Sequence, residues 1–294
     1  MAYLFSLPLV ALLWLLHFLP LPLLAWLGRR LGDLLYGFGR DRRRVATINL
    51  QLCFPERSEA ERRALAREHF RLLGRSLLER AIFWWAPRER IERLVRVKGE
   101  QHVRNALAAA QPVMLLAPHF LGLDAGGVAV TMRFDIVSIY ASQSNPVFDL
   151  LLLGGRSRFG DQLLLSRQDG ARATVKAMKA GRPFYYLPDM NARRRDGVFV
   201  PFFGIPASTV TGLPRLAKAA GALVIPCVTR ILPGGQGYEV EFGAPWADYP
   251  SDDLTADITR MNAWIESVIR TMPAQYYWVH RRFKTRPLGE ARIY

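Results

Sequence analysis

The sequence predicts an α/β fold: a largely parallel central sheet flanked by helices, preceded by an N-terminal hydrophobic membrane-anchoring helix. Three observations predict it. From residue 95 onward short apolar runs alternate with helix-period stretches, the pattern of a covered, mostly parallel sheet. Residues 2–27 contain no Asp, Glu, Lys or Arg and are dominated by Leu. The 294 residues suffice for one α/β unit built on a single core plus an appendage. The expected division is an anchor over 1–27 and one catalytic domain over 28–294.

The anchor comes first. At about 1.5 Å rise per residue its length crosses a bilayer, while Pro8, Pro20 and Pro22 kink or divide it. A split helix lying in one leaflet is therefore the alternative to a spanning one. A cleaved signal peptide fits less well, because no Lys or Arg precedes the apolar run and no small-residue cleavage site follows it. Arg29, Arg30, Arg40, Arg42, Arg43 and Arg44 follow. By the positive-inside tendency they put the next domain on the cytoplasmic face, and they also suit anionic headgroups.

The stretch "SEAERRALAREHFRLLGRSLLERAIFWWA", 58–86, opens with Ser58 and Glu61 in capping-box spacing. It then repeats Leu65, Phe70, Leu73, Leu77 and Ala81 at helical intervals, so an amphipathic helix is expected. Its "IFWW" end either packs in the core or seats on a membrane interface. Strands are expected at 95–97, 113–116, 136–140, 162–165, 184–187, 223–229 and 238–242. Helices are expected at 103–109, 122–131, 147–153, 171–180 and 213–219. Sites in such sheets lie beyond the carboxyl ends of strands.

Charge and cysteine content narrow the partners. The formal charge of +15 favours acidic partners. Nucleic acid, anionic lipid and acidic carrier proteins all qualify on charge alone. Against nucleic acid, the aromatics cluster with apolar neighbours in "FWW" and "YYW" rather than alternating with basic residues. Cys53 and Cys227 lack metal-ligand spacing and are too few for a disulfide framework, which suits packing thiols in a reducing compartment. Walker A, H-E-x-x-H and strand-bounded G-x-G-x-x-G patterns are missing, so no metal or cofactor is expected. The glycines of "GRRLGDLLYGFGR" follow no strand, so a nucleotide loop there is not expected.

The chemistry centres on "APHFLGLDAGG", 117–127. Pro118 stops the expected strand, so His119 lies in a loop, with Asp124 in the first turn of the next helix. A carboxylate is favoured there by the helix dipole. It would accept the proton of one ring nitrogen, leaving the other to take a proton from a substrate hydroxyl. A histidine satisfied within the core is the competing reading.

"PHFLGLD", together with "LLGGRSRFGDQLLLSR", "YYLPDMN", "VFVPFFGIPASTVTG", "LVIPCVTR", "YYWVHRRFKTRP" and "INLQLCFP", resembles the late acyltransferases of lipid A biosynthesis, the lauroyl/myristoyl transferase family. The similarity covers nearly the whole chain. It implies transfer of a fatty acyl chain from acyl carrier protein to a hydroxyl of a lipid A precursor at the cytoplasmic face of the bacterial inner membrane. His119 and Asp124 match the family's His-x4-Asp/Glu motif. Arg156 matches its motif arginine, and Asp189 an acidic position after a later strand. Asp124 stands where many members carry Glu.

On this reading His119 is the general base. The hydroxyl of a 3-hydroxyacyl chain attacks the donor thioester and the carrier thiol leaves, with no acyl-enzyme. Neither cysteine has an evident adjacent base and there is no G-x-S-x-G elbow, which disfavours a covalent route. Arg156 is expected to bind an acceptor phosphate or the tetrahedral oxyanion, either of which suits its planar fork. Asp189 is expected at the substrate site, or holding Arg156 or a neighbouring loop. Arg193–Arg195 and the run Arg281, Arg282, Lys284 and Arg286 either meet anions or are solvated, and His280 has no evident partner. An acyltransferase with another glycolipid or phospholipid acceptor is the nearest alternative. A non-enzymatic protein binding anionic membrane or nucleic acid is the other.

Overall fold

The computed structural model describes residues 2–140, 142, 145–166 and 169–294. It opens with four helices, α1 (Ala2–Leu16), α2 (Leu21–Phe38), α3 (Arg40–Cys53) and α4 (Glu59–Trp85), then α5 (Arg88–Leu94) and β1 (Val95–Lys98). Alternation follows: α6 (Glu100–Ala108), β2 (Val113–Leu116), α7 (Leu123–Thr131), β3 (Val137–Tyr140), α8 (Pro146–Arg156), β4 (Leu163–Ser166), α9 (Gly170–Lys179) and β5 (Phe184–Tyr186). The chain continues through β6 (Gly197–Phe202), β7 (Ile205–Val210), α10 (Gly212–Ala220), β8 (Leu223–Ile231), β9 (Tyr238–Phe242) and α11 (Leu254–Thr271).

Seven described strands form one sheet in the order β1-β9-β8-β2-β5-β3-β4. β8, β2, β5, β3 and β4 are parallel, as expected; only β9 runs against β8, with β1 parallel to β9. β2, Val-Met-Leu-Leu, is buried on both faces, which is why it reads as a continuous apolar run rather than alternating. Its side chains divide between two cores, Met114 and Leu116 in one, Val113 and Leu115 in the other.

The spanning anchor is corrected. No helix among the described residues is long and apolar enough to cross a membrane. The apolar segment breaks between α1 and α2 because Pro20 has no N–H to continue the ladder. Pro22 sits in the first turn of α2, where no N–H is required. Arg90 covers the break, donating to the carbonyls of His17 and Leu19. What remains is a pair of helices and the turn between them, with Leu7, Leu12, Trp14 and Trp26 of the helices and Phe18 of the turn exposed.

The glycines of "GRRLGDLLYGFGR" have a packing cause. A Cβ at Gly32 would stand 2.2 Å from the Phe70 carbonyl oxygen, and one at Gly74 would stand 2.2 Å from that of Gly28. α2 and α4 therefore cross backbone to backbone. The capping box of α4 is present, Ser58 and Glu61 bonding each other's backbone N–H. In "IFWW", Ile82 and Phe83 are core residues. α4 departs from simple amphipathicity by burying Arg75 and Glu79, paired at 2.7 Å, with the Tyr238 hydroxyl donating to the same carboxylate.

Candidate active site

Strand register builds the site. β2 and β5 are parallel neighbours with Leu116 opposite Tyr186, and the ladder continues one step as the Ala117 N–H donates to the Tyr186 carbonyl at 2.9 Å. Three residues beyond the paired ends stand His119 and Asp189. The Asp189 carboxylate takes both hydrogen bonds that the histidine offers. Oδ1 lies 2.7 Å from His119 Nδ1, and Oδ2 accepts the His119 backbone N–H at 2.9 Å. Asp189 is fully buried while the His119 side chain is 24% exposed. The pair therefore presents one face of the imidazole to solvent at the carboxyl end of the sheet.

Burial by itself would raise the Asp189 carboxyl; the charge of His119 and the hydrogen bonds from its ring and backbone outweigh it and hold the group below the usual range. An ionised carboxylate only accepts, so the proton between the two residues sits on Nδ1. In the neutral form of the imidazole, Nε2 is then the nitrogen that carries the lone pair a general base requires.

The expected pairing of His119 with Asp124 is replaced. Asp124 stands in the first turn of α7 and accepts from Arg80 Nε of α4 at 2.5 Å. The physical reason is the sheet. The backbone bond to Asp189 and the β2–β5 register turn the imidazole toward β5. Asp124 instead meets the side chain that α4 lays across the start of α7.

Arg156, in the last turn of α8, is exposed and stands 5.3 Å over the Tyr140 ring. Buried Tyr185 is pushed well above its ordinary value by desolvation first, with Cys227 and Asp124 raising it further and Arg156 opposing. Of the roles expected for Asp189, the contacts it makes are those of holding the His119 loop rather than Arg156.

The later basic run divides. Arg193, Arg194 and Arg195 are exposed. Arg282 is interior, donating to the Ser208 carbonyl at 2.9 Å and Thr209 Oγ1 at 2.7 Å, and it lies over the Phe202 ring. His280 does have a partner: its Nε2 accepts the Asn191 N–H at 2.9 Å. Sequence reasoning missed Arg80, Asn191 and Asn49, whose amide donates to the carbonyls of Trp278 and His280. No local pattern distinguishes them from surface polar residues. Both cysteines are buried. Burial pushes the Cys227 thiol up to about 12, and burial first, then Glu266, pushes Cys53 well above its ordinary value.

Comparison with known proteins decides the family. Residues 2–285 match the family model described as bacterial lipid A biosynthesis acyltransferase. The chain belongs to that family. It is 38% identical to the lipid A biosynthesis lauroyltransferase of Escherichia coli K12 over 95% of this chain and 91% of that protein. It is 32% identical to the palmitoleoyltransferase of the same organism, over 96% of this chain and 92% of that one. Against the myristoyltransferase it is again 32% identical, over 93% and 83%. Among solved structures, the 1-acyl-sn-glycerophosphate acyltransferase of Thermotoga maritima is similar at a TM-score of 0.40 and 14% identity, covering 86% of this chain and 98% of that one. The chain is thus an acyltransferase of lipid A biosynthesis by family, and the site just described is its candidate active site.

Proposed function

We propose that this acyltransferase moves a fatty acyl chain from acyl carrier protein to the hydroxyl of a 3-hydroxyacyl chain on a lipid A precursor, with His119 as general base. The observation that carries the proposal is the His119–Asp189 pair at the ends of adjacent strands, its imidazole partly exposed while the carboxylate is buried. His119 Nε2 takes the hydroxyl proton as the oxygen attacks the thioester carbonyl carbon. The tetrahedral intermediate collapses with cleavage of the carbon–sulfur bond, and the proton passes from His119 to the departing thiolate. Asp189 fixes the tautomer and stabilises the transient imidazolium, the role an aspartate plays in serine protease triads. Asp124 fixes the Arg80 guanidinium beside the site, and Arg156 binds the oxyanion or an acceptor phosphate. Neither cysteine supplies the thiolate a covalent route needs, because burial disfavours its charge.

The protein works on the cytoplasmic face of the inner membrane, held in the plane of one leaflet by the exposed apolar side chains of α1 and α2. The basic residues after them face anionic lipid and the acidic carrier.

The test is to incubate the purified protein with acyl carrier protein thioesters and a tetraacylated lipid A precursor, then weigh the lipid. Gain of one acyl chain is expected. Transfer only to another glycolipid or a phospholipid would move the acceptor. Absence of transfer to any acceptor would overturn the enzyme reading.

A further inference from the structure

The segment after α11 is stitched to both loops of the His119–Asp189 pair. Leu121 donates its N–H to the Gln275 carbonyl at 2.8 Å and Tyr277 donates to the His119 carbonyl at 3.1 Å, around an antiparallel bridge between Phe120 and Tyr276. The Tyr276 hydroxyl reaches the Asp189 carbonyl at 3.4 Å. Asn191 and Thr285 clasp each other, the Asn191 amide donating to Thr285 Oγ1 at 3.0 Å and the Thr285 N–H donating to Asn191 Oδ1 at 2.9 Å. Within this clasp one imidazole faces the backbone of the Asp189 loop.

We propose that His280 is a positioning residue for the acid–base pair: by accepting the Asn191 N–H on Nε2, it sets the loop on which Asp189 meets His119. The inference rests on the reading of His119 as the base. Two contacts carry it. The contact is 2.9 Å, to a backbone N–H two residues beyond Asp189, where the chain has left β5 and no strand supplies an acceptor. The backbone of His280 is itself fixed, its carbonyl accepting from Asn49 of α3 at 2.8 Å and its N–H donating to the Tyr277 carbonyl. The ring is also kept neutral by its surroundings.

Burial, then Arg282, lower His280 to about 4; Asp189 opposes them, and His119 and Arg42 of α3 push the same way as Arg282. The Nε2 lone pair is therefore available throughout the neutral range. A loop released at Asn191 carries the Asp189 carboxylate with it, and misplacement of a catalytic group by 1 Å costs about 10² in rate.

The test compares His280→Gln with His280→Asn. The glutamine oxygen reaches close to the place of Nε2; the asparagine oxygen stops short of it. With the acyl-transfer assay, kcat of H280Q should stay within about threefold of wild type. That of H280N should fall about 10- to 100-fold at a nearly constant KM and an unchanged unfolding midpoint. Equal rates in the two variants, or a loss in H280N that travels with KM or with the midpoint, would overturn the proposal. Amide exchange at Asn191 is read without substrate, so it separates the two readings. If wild type transfers no acyl chain, the function reading falls alone. Faster exchange at Asn191 in H280N than in H280Q would then still support the His280 contact, and equal exchange would sink it.

Discussion

His119 and Asp189 each stand three residues past a strand end, and the parallel pairing of those strands makes them neighbours. Three expectations belong to single side chains in this site. Asp189→Asn should lower turnover by roughly 10² to 10⁴, because it removes the charge under the imidazolium and favours the wrong tautomer. His119→Ala should cost at least as much and the double variant little more, since the two act as a unit; rates of the purified variants decide, and losses that multiply would separate the pair. Asp124→Asn should act through Arg80 rather than through His119. Combining it with Arg80→Gln should then recover part of the lost rate, whereas a further multiplicative loss would return Asp124 to the base. A further expectation concerns His69, which is fully buried, offers Nδ1 to the Ala274 carbonyl and has no partner at Nε2 among the described residues. Burial lowers it from 6.5 to about 4. Between those values the unfolded chain binds the proton and the folded one does not, so stability falls as pH drops from 6.5 toward 4, by up to about 1.4 kcal/mol per pH unit. Denaturant titrations at several pH values should show this slope reduced in His69→Gln.

At the scale of elements, α2 and α4 depend on missing side chains. Gly32→Val would drive a branched side chain into the Phe70 carbonyl and the Arg71 backbone. It should destabilise by about 1–3 kcal/mol or more, read as a lowered thermal midpoint with turnover per folded molecule retained. A midpoint at the wild-type value would show that the helices can separate without cost. How legible each element was depended on how local its cause is. β2 and β9 occupy the expected residues because β2 is a short, continuous apolar run and β9, Tyr-Glu-Val-Glu-Phe, alternates apolar with charged residues at strand period. The β6–β7 hairpin was not among the expected strands. Its two-residue turn places Phe203 at φ 51° and Gly204 at φ 75°, the geometry of a type I′ turn. Only Gly204 announces it, since a phenylalanine rarely adopts positive φ. α11 was legible in principle from Asp253, which caps it, and from Ile258, Met261 and Ile265 at helical spacing. The close approach of α2 to α4 was not, because glycines that admit a neighbouring backbone look the same in sequence as glycines of a turn.

For the whole molecule, an apolar rim on α1 and α2 is combined with a charge of +15. Exposed Trp and Phe side chains partition into the headgroup boundary, and surrounding arginines add attraction to anionic lipid. Trp14→Glu with Phe18→Glu should release the protein from anionic vesicles in a flotation assay while leaving the thermal midpoint unchanged. Retention of binding would assign attachment to charge alone. The same basic excess should steer an acidic carrier. Transfer from the carrier thioester should therefore slow as salt rises through about 0.1 M, where the Debye length is about 10 Å. Equal rates from a coenzyme A thioester without salt dependence would remove the carrier from the proposal.

Taken by itself, the sequence determined the mostly parallel sheet, the place of His119 in a loop at a strand's end, the capped helix at Ser58 and the family resemblance. The strands, the loop and the cap follow from residues within about one element of one another, where apolar period, prolines and caps act directly on the backbone, whereas the resemblance rests on motifs spread over nearly the whole chain. Tertiary structure alone decided which acid faces the histidine. Asp124 is five residues away and Asp189 is 70, yet β5 lies beside β2 and α4 brings Arg80 to Asp124. It likewise decided that the apolar N-terminus is two helices on a surface, since Pro20 permits a break and Arg90, from α5, satisfies the carbonyls that the break exposes. Strand order and helix crossings arise from packing between distant segments, and no local pattern encodes a neighbour that the chain reaches only after folding.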